Sequence, residues 1–200
     1  MTIDFNCNND YILEDERVLL RPLEEDDYEL LLPFALQEPD LWTYSLVSPA
    51  GEAGMQSYIL QALRARAECR EYPFVVYDKK TEQYAGSTRF YDIQPQHKTL
   101  QLGYTWYGKA FQRTGLNRHC KYLMLSFAFE DIGMERVEFR ADHNNAKSIA
   151  AMKAIGCTVE GVLRSNLPMY DGTRRNSIVL SILKEEWFSR VKKELMVKMY

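Results

Sequence analysis

The 200-residue chain contains no apolar run near the ~18 residues that a membrane-spanning helix requires. Its opening, Met1-Thr2-Ile3-Asp4-Phe5-Asn6, has neither a basic n-region nor an apolar h-region, so no secretory leader is expected. Positive charge is not in excess. Lys and Arg number 25 against 28 Asp and Glu, a formal charge of −3, which excludes a global field drawing the protein to nucleic acid or anionic lipid. Cysteine is sparse: Cys7, Cys69, Cys120 and Cys157 lie far apart, with no C-x-x-C. Three histidines (His97, His119, His143) supply no H-x-x-x-H, so neither a metal site nor a disulfide framework is expected. The expectation is four reduced thiols packed in a cytoplasmic protein.

What is present describes a globular domain. Hydrophobic residues make up 46% and aromatics 12%, enough to exclude general disorder. There are no repeats and no low-complexity linker. Residues 1–11, rich in Asn and Asp, read as a loose N-terminal arm. Residues 12–200 read as one domain including a C-terminal helix.

Periodicity gives the element order. Arg17 to Pro22 is a short strand, followed by a helix begun by the acidic Glu24–Asp27 cluster, with Pro33 expected to kink or shorten it. A clearer helix runs from Glu52 to about Glu71. Pro73–Tyr77, Tyr84–Ile93 and Thr99–Tyr107 form an antiparallel meander. In the last strand Leu100, Leu102, Tyr104 and Trp106 alternate with Gln101, Gly103, Thr105 and Tyr107, the period of a half-buried strand. After Gly115 the period turns helical on a broad apolar face (Leu116, Cys120, Leu123, Met124, Phe127), which marks a buried helix closed by Gly133. Glu135–Ala141 is a strand, Ala146–Ile155 a helix, Thr158–Arg164 and Arg174–Leu183 strands, and Glu185 to about Lys198 a helix. The fold class is therefore α/β (α+β), a mixed, mostly antiparallel sheet of about seven strands flanked by helices.

The segment with chemical potential runs from Trp106 to Asn117: a strand end, a short loop and the start of the buried helix. The first turn of a helix carries four backbone N–H groups without intrahelical partners and partial positive charge, so it can hold phosphate. Gly115 permits close approach of a ligand to the backbone. Arg113, Arg118 and Lys121 supply a local positive patch. Neither G-x-x-x-x-G-K-[ST] nor G-x-G-x-x-G is present.

Gln112-Arg113-Thr114-Gly115-Leu116-Asn117 resembles the Q/R-x-x-G-x-G/A pyrophosphate loop of the GNAT acetyl-CoA-dependent N-acetyltransferases, with Asn117 in place of Gly or Ala. Three further segments resemble the RimJ/RimL-like branch, which includes the ribosomal-protein alanine acetyltransferases. Asn145-Ala146-Lys147-Ser148 matches its N-x-x-S element. Ala154 to Arg164 is similar to its L-G-F-x-x-E-G-x-L-R run, with Cys157 for Phe. Asp171-Gly172-Thr173-Arg174-Arg175-Asn176, followed by Glu186-Trp187, is similar to its D-G-x-x-R-D … E-W ending. The opening Leu20-Arg21-Pro22-Leu23 also fits, so the resemblance covers about residues 12–190.

That resemblance implies a single-domain GNAT fold and acetyl transfer to a primary amine. It lays the pantetheine of acetyl-CoA along Tyr104-Thr105-Trp106, sets the pyrophosphate on residues 112–117, and gives Asn145 a contact to the pantetheine arm. A backbone N–H of the 104–107 segment would polarise the thioester. Many GNAT enzymes protonate the leaving thiolate with a Tyr at the position of Met152; in this branch a Ser does so, and Ser148 matches it. The Glu that some relatives use as base falls at Leu167, leaving Glu138, Asp142, Glu160 or a water. The acceptor is a protein N-terminus or a small amine such as a polyamine or aminoglycoside, the enzyme a monomer or homodimer without metal. Taken singly, the same residues have structural readings. Gly115 is then a turn residue, Tyr104 and Trp106 pack, Asn145 caps a helix, Ser148 bonds back to its own turn, and Glu160-Gly161 is structural. A CoA-binding module without turnover stays open.

Overall fold

Residues 3–169 and 172–199 are described by a computed structural model. Asp171, which opens the last of the matched motifs, lies outside the described residues. Eight strands form one sheet in the order β1-β2-β3-β4-β5-β6-β8-β7. They are β1 (Leu13–Glu14), β2 (Val18–Pro22), β3 (Glu71–Asp78), β4 (Gln83–Gln94), β5 (Thr99–Tyr107), β6 (Arg136–Asp142), β7 (Thr158–Pro168) and β8 (Arg174–Leu183). Seven strands were expected; the eighth is β1, whose two residues are too few to show a period and which exists by pairing Leu13 with Leu20 and Glu14 with Leu19. Strand β7 also runs past Arg164: Ser165 takes a φ of +51°, and after that irregularity pairing resumes at Leu167 with Arg175.

Helices α1 (Asp27–Gln37) and α2 (Gly51–Ala67) cover one face of the sheet. The other face is covered by α3 (Leu116–Ser126), α4 (Ala146–Ala154), α5 (Lys184–Glu186) and α6 (Lys192–Val197), with π turns extending α3 through Phe127–Asp131 and joining α5 to α6 through Trp187–Val191. Pro33 sits inside α1, which continues beyond it to Gln37. No described helix is long and apolar enough to cross a membrane.

Each face has its own core. Phe90, Leu100, Leu102, Met124, Phe129 and Trp187 pack on the α3 side; Leu31, Trp42, Met55, Ile59, Val75 and Trp106 pack on the α1–α2 side. Strand β5 contributes to both, and not as simple alternation requires. Leu100 and Leu102 face α3, whereas Trp106, with the half-buried Tyr104, faces α1 and α2. The cause is one extra residue in β5. Its register against β4 moves from Gly103↔Arg89 to Trp106↔Ser87, three residues against two, and Tyr104 takes a φ of +47°. A bulge of this kind exchanges the faces of all residues beyond it.

Residues 3–11 are tied to the domain rather than loose, and two cysteines are not reduced. Cys7 and Cys69 form a disulfide across 62 residues. Arg66 donates to the carbonyls of Cys7 and Asn9 and to Asp10, and Ile3 N–H donates to Asp131 O. Phe5 and Tyr11 stack on each other and contact Tyr72 and Phe127. Two aromatics among the Asn and Asp residues are enough to seat the arm, which brings Cys7 to Cys69. Closing a loop of this length lowers the entropy of the unfolded chain by roughly 4 kcal/mol in the chain-entropy account. Denaturant unfolding should therefore show the oxidised protein more stable by up to about that amount than the reduced one, with Cys69→Ser indifferent to reductant. Full alkylation of four thiols without prior reduction would contradict the pairing.

Candidate functional site

The parallel pair β5–β6 is joined only over Thr99–Gln101 and Arg136–Glu138. Beyond that, β5 has no strand partner on its β6 side among the described residues, and the carboxyl ends of the two strands form the mouth of an opening in the sheet. Crevices at the carboxyl ends of parallel strands are where open α/β sheets take ligands. The loop after β5 leads to the start of α3 and the turn after β6 leads to the start of α4, so residues 112–117 and Asn145–Ser148 are brought to the same end of the sheet.

Gly115 precedes α3 with φ +92°, and a Cβ added there would meet no atom within 4 Å. The helix start has no side-chain cap from Gly115; Leu116 N–H makes a long bond to Thr114 Oγ1 at 3.4 Å, and Arg118 N–H donates to Gly115 O at 2.8 Å. Thr114 Oγ1 donates to Phe111 O at 2.7 Å, and Gln112 Nε2 donates to Tyr107 O at 3.0 Å, which ties the exposed loop to the strand end. The Leu116 side chain is fully buried, and Asn117 Oδ1 accepts from the Tyr107 hydroxyl at 3.2 Å. Both can therefore face a ligand chiefly through their backbone. Arg113 is exposed with φ +61°.

Of the positive patch expected at this loop, Arg113 and Arg118 are exposed and Lys121 is not. Arg118 donates to Lys198 O at the end of α6. Lys121 is buried beneath β5, its Nζ 2.7 Å from Thr105 Oγ1 and 3.4 Å from Thr88 Oγ1. Burial pushes the Lys121 ammonium down to about 7 from an ordinary 10.5, and the neighbouring Cys120 and Cys157 only partly oppose this.

On the α1–α2 side, Trp106 is packed among Phe34, Trp42 and Tyr58, as its structural reading requires. Tyr104 lines a cavity of about 230 Å³ together with Tyr58, Arg64, Glu68, Glu71 and Arg89. Asn145 caps α4 by accepting from Ser148 N–H at 3.0 Å, so its capping role is realised with the amide Nδ2 left over. Ser148 is half-buried, and its hydroxyl makes no hydrogen bond to the described residues.

Each of the carboxylates considered as a base is engaged by neighbouring donors. Arg136 holds Glu160 down to about 2, aided by Ser181 and against a smaller effect of burial. Glu138 accepts from Arg136 and Arg140, and the buried Asp142 accepts from Asn144 N–H. The free thiols are inert: burial pushes Cys120 and Cys157 up to about 12. His119 is turned to Asp15 at 2.8 Å. What sequence patterning missed is the pair Glu71 and Arg89, and the burial of Lys121, which it had placed in an exposed patch.

The family model described as an acetyltransferase (GNAT) domain matches residues 17–158. A Bacillus subtilis (strain 168) protein, YdaF, provisionally named a ribosomal N-acetyltransferase, is 25% identical over 183 residues, covering 86% of this chain and 94% of its own. A solved structure from T. thermophilus, provisionally described as an acetyltransferase, is 30% identical with a TM-score of 0.85 and full coverage of both chains. Mycobacterium smegmatis RimJ, solved in complex with CoA-disulfide, shares the fold at a TM-score of 0.78 and 18% identity, over 94% of this chain and 93% of its own.

The buried Lys121 sets a pH signature. Its folded pKa lies below its unfolded one, so the unfolded chain holds the extra proton between about pH 7 and 10.5 and stability rises with pH across that window. Lys121→Met should stabilise the protein at pH 6.5 by roughly 2–4 kcal/mol, and the gain should shrink towards pH 10. Thr88 and Thr105 keep their mutual bond of 2.7 Å in that variant. Urea unfolding at both pH values checks this; a pH-independent difference contradicts it.

Proposed function

Because the chain belongs to the GNAT acetyltransferase family, we propose that it transfers the acetyl group of acetyl-CoA directly to a primary amine, and that this amine is a protein N-terminus. The observation that carries the reading is the opening between β5 and β6 with an uncapped helix start at its head. The space over Gly115 suits a pyrophosphate, and the unpaired edge of β5 suits an extended amide-bearing chain, which binds as an added strand does.

Acetyl-CoA supplies an acyl group activated as a thioester; the amine nitrogen forms the new C–N bond as the C–S bond breaks. The chain's own residues do the rest. Backbone N–H groups of residues 114–117 bind the pyrophosphate, Leu116 N–H giving up its long bond to Thr114 Oγ1, with the exposed Arg113 and Arg118 adding charge. Tyr104, Thr105 and Trp106 act through their backbone, one N–H polarising the thioester carbonyl. Lys121 and Thr88 fix the Thr105 side chain and so hold the bulge. Asn145 offers its Nδ2 to the pantetheine arm. Ser148 donates a hydrogen bond to the departing sulfur, and the proton lost by the amine leaves to solvent. An α-amine, with an ordinary pKa near 7.7–8.0, is partly neutral already and needs no strong base.

A polyamine or aminoglycoside acceptor would call for an acidic pocket. The cavity beside Tyr104 speaks against it: Glu68 is paired with Arg70 and Glu71 with Arg89, while Arg64 adds positive charge. Direct transfer accords with the two inert thiols.

Two variants separate binding from chemistry. Gly115→Val should raise the acetyl-CoA dissociation constant at least tenfold, about 1.4 kcal/mol, with circular dichroism unchanged. Ser148→Ala should lower kcat by roughly 10- to 100-fold with KM for acetyl-CoA unmoved, because its bond strengthens only as the thiolate forms. Calorimetry and a thiol-release assay read the two effects; unchanged affinity in the first variant overturns the phosphate loop.

A further inference from the structure

Arg89 is 3% exposed, lies on β4 opposite the bulge, and lines the cavity beside Tyr104. Its guanidinium carbon lies over two rings, 4.3 Å from the Tyr104 centroid and 4.7 Å from that of Tyr58. Nη1 donates to Glu71 Oε2 at 2.6 Å. The buried Nε and Nη2 have no hydrogen-bond partner among the described residues.

Those two atoms are one edge of the guanidinium, the edge that takes a carboxylate side-on through two parallel bonds. The same chain shows the geometry elsewhere: Arg17 donates Nε and Nη2 to the two oxygens of Asp78 at 2.8 and 3.1 Å. A buried donor pair without an acceptor is costly and demands an explanation. At Arg89 the pair belongs to a cavity that adjoins the bulge where transfer is proposed to occur. The cavity's two carboxylates are already paired, and the buried Arg175 on β8, its Nε without a hydrogen-bond partner among the described residues, interacts electrostatically with Tyr104.

We propose that Arg89 is a specificity residue: it binds, side-on, a carboxylate carried by the acceptor close to its reactive amine. The proposal rests on the transferase reading and deepens it by naming the acceptor's chemistry, an amine with a nearby carboxylate. In the conformation described both nitrogens are shielded, so the carboxylate reaches them by turning aside the half-buried Tyr104 ring. The Tyr58 ring and the Glu71 carboxylate stay in place and hold the guanidinium, which orients the incoming group. A cationic acceptor meets an arginine there and is rejected, which makes the site selective as well as attractive.

The carboxylate has two possible sources, an acidic side chain at a peptide N-terminus or the α-carboxylate of a free amino acid. Thiol release is measured at saturating acetyl-CoA with two matched pairs: Asp-Ala-Ala-amide against Asn-Ala-Ala-amide, and alanine against alaninamide. In the arm that supplies the carboxylate, KM should be at least tenfold lower for the charged member. Arg89→Gln should reduce that ratio to below threefold while leaving KM for acetyl-CoA unchanged, and Arg89→Lys should restore part of it. Equal KM within both pairs overturns the proposal while the transferase reading stands, and the wild-type comparison decides this even if an Arg89 variant does not fold. If acetyl-CoA binds but no amine is acetylated, the transferase reading fails on its own. Calorimetric titration of the CoA complex with the same pairs then decides the anion site: preference for the charged members supports it, and none overturns it.

Discussion

One extra residue in β5 governs the arrangement. Up to Gly103 the strand is an ordinary member of the sheet; at Tyr104 the backbone turns to a positive φ and the register with β4 slips by one. Side chains beyond the slip change faces, so Trp106 joins the α1–α2 core and Thr105 meets Lys121 on the α3 side. The partner strand has made room: a Cβ on Gly86 would come within 2.0 Å of Trp106 O, so only glycine fits opposite the shifted segment. On its other side β5 has left β6 after three paired residues. A strand bent away from one neighbour and slipped against the other presents backbone groups that a regular sheet would consume, and bulges near sites serve this purpose widely.

Charge is distributed around that opening rather than over it. Basic side chains lie beneath the strand (Lys121), beside the cavity (Arg89) and on β8 (Arg175), all buried, whereas Lys109 and Arg113 on the loop are exposed. Burying unpaired charge costs stability unless hydrogen bonds or rings offset it. Lys121 has two hydroxyls, and Arg89 has Glu71 and two aromatic faces.

Much of this was legible in the residues. Period-two and helical spacing located the sheet meander, the buried α3 and the order of later elements, because those patterns reflect which face meets a core. The loop from Gln112 to Asn117 was found because glycine before an apolar helix is a local signal. The exchange of faces at Tyr104 was not legible: Leu100, Leu102, Tyr104 and Trp106 alternate without interruption, and a bulge is set by the partner strand. Burial of Lys121 and Arg89 likewise depends on distant elements, since a lone Lys on a helix or Arg on a strand reads as solvated. The Cys7–Cys69 pair escaped notice because spacing carries no information on a bond spanning 62 residues; the seat for the arm is made by Tyr72 and Phe127, far along the chain.

The central claim, that the bulged edge of β5 and the uncapped start of α3 together hold the acyl donor, is tested most directly by amide hydrogen exchange with and without CoA. The account predicts that CoA slows exchange in three segments, residues 103–107, 114–117 and 145–148, and leaves the β2–β3 pairing unchanged. Protection elsewhere with none in the first two segments would contradict it.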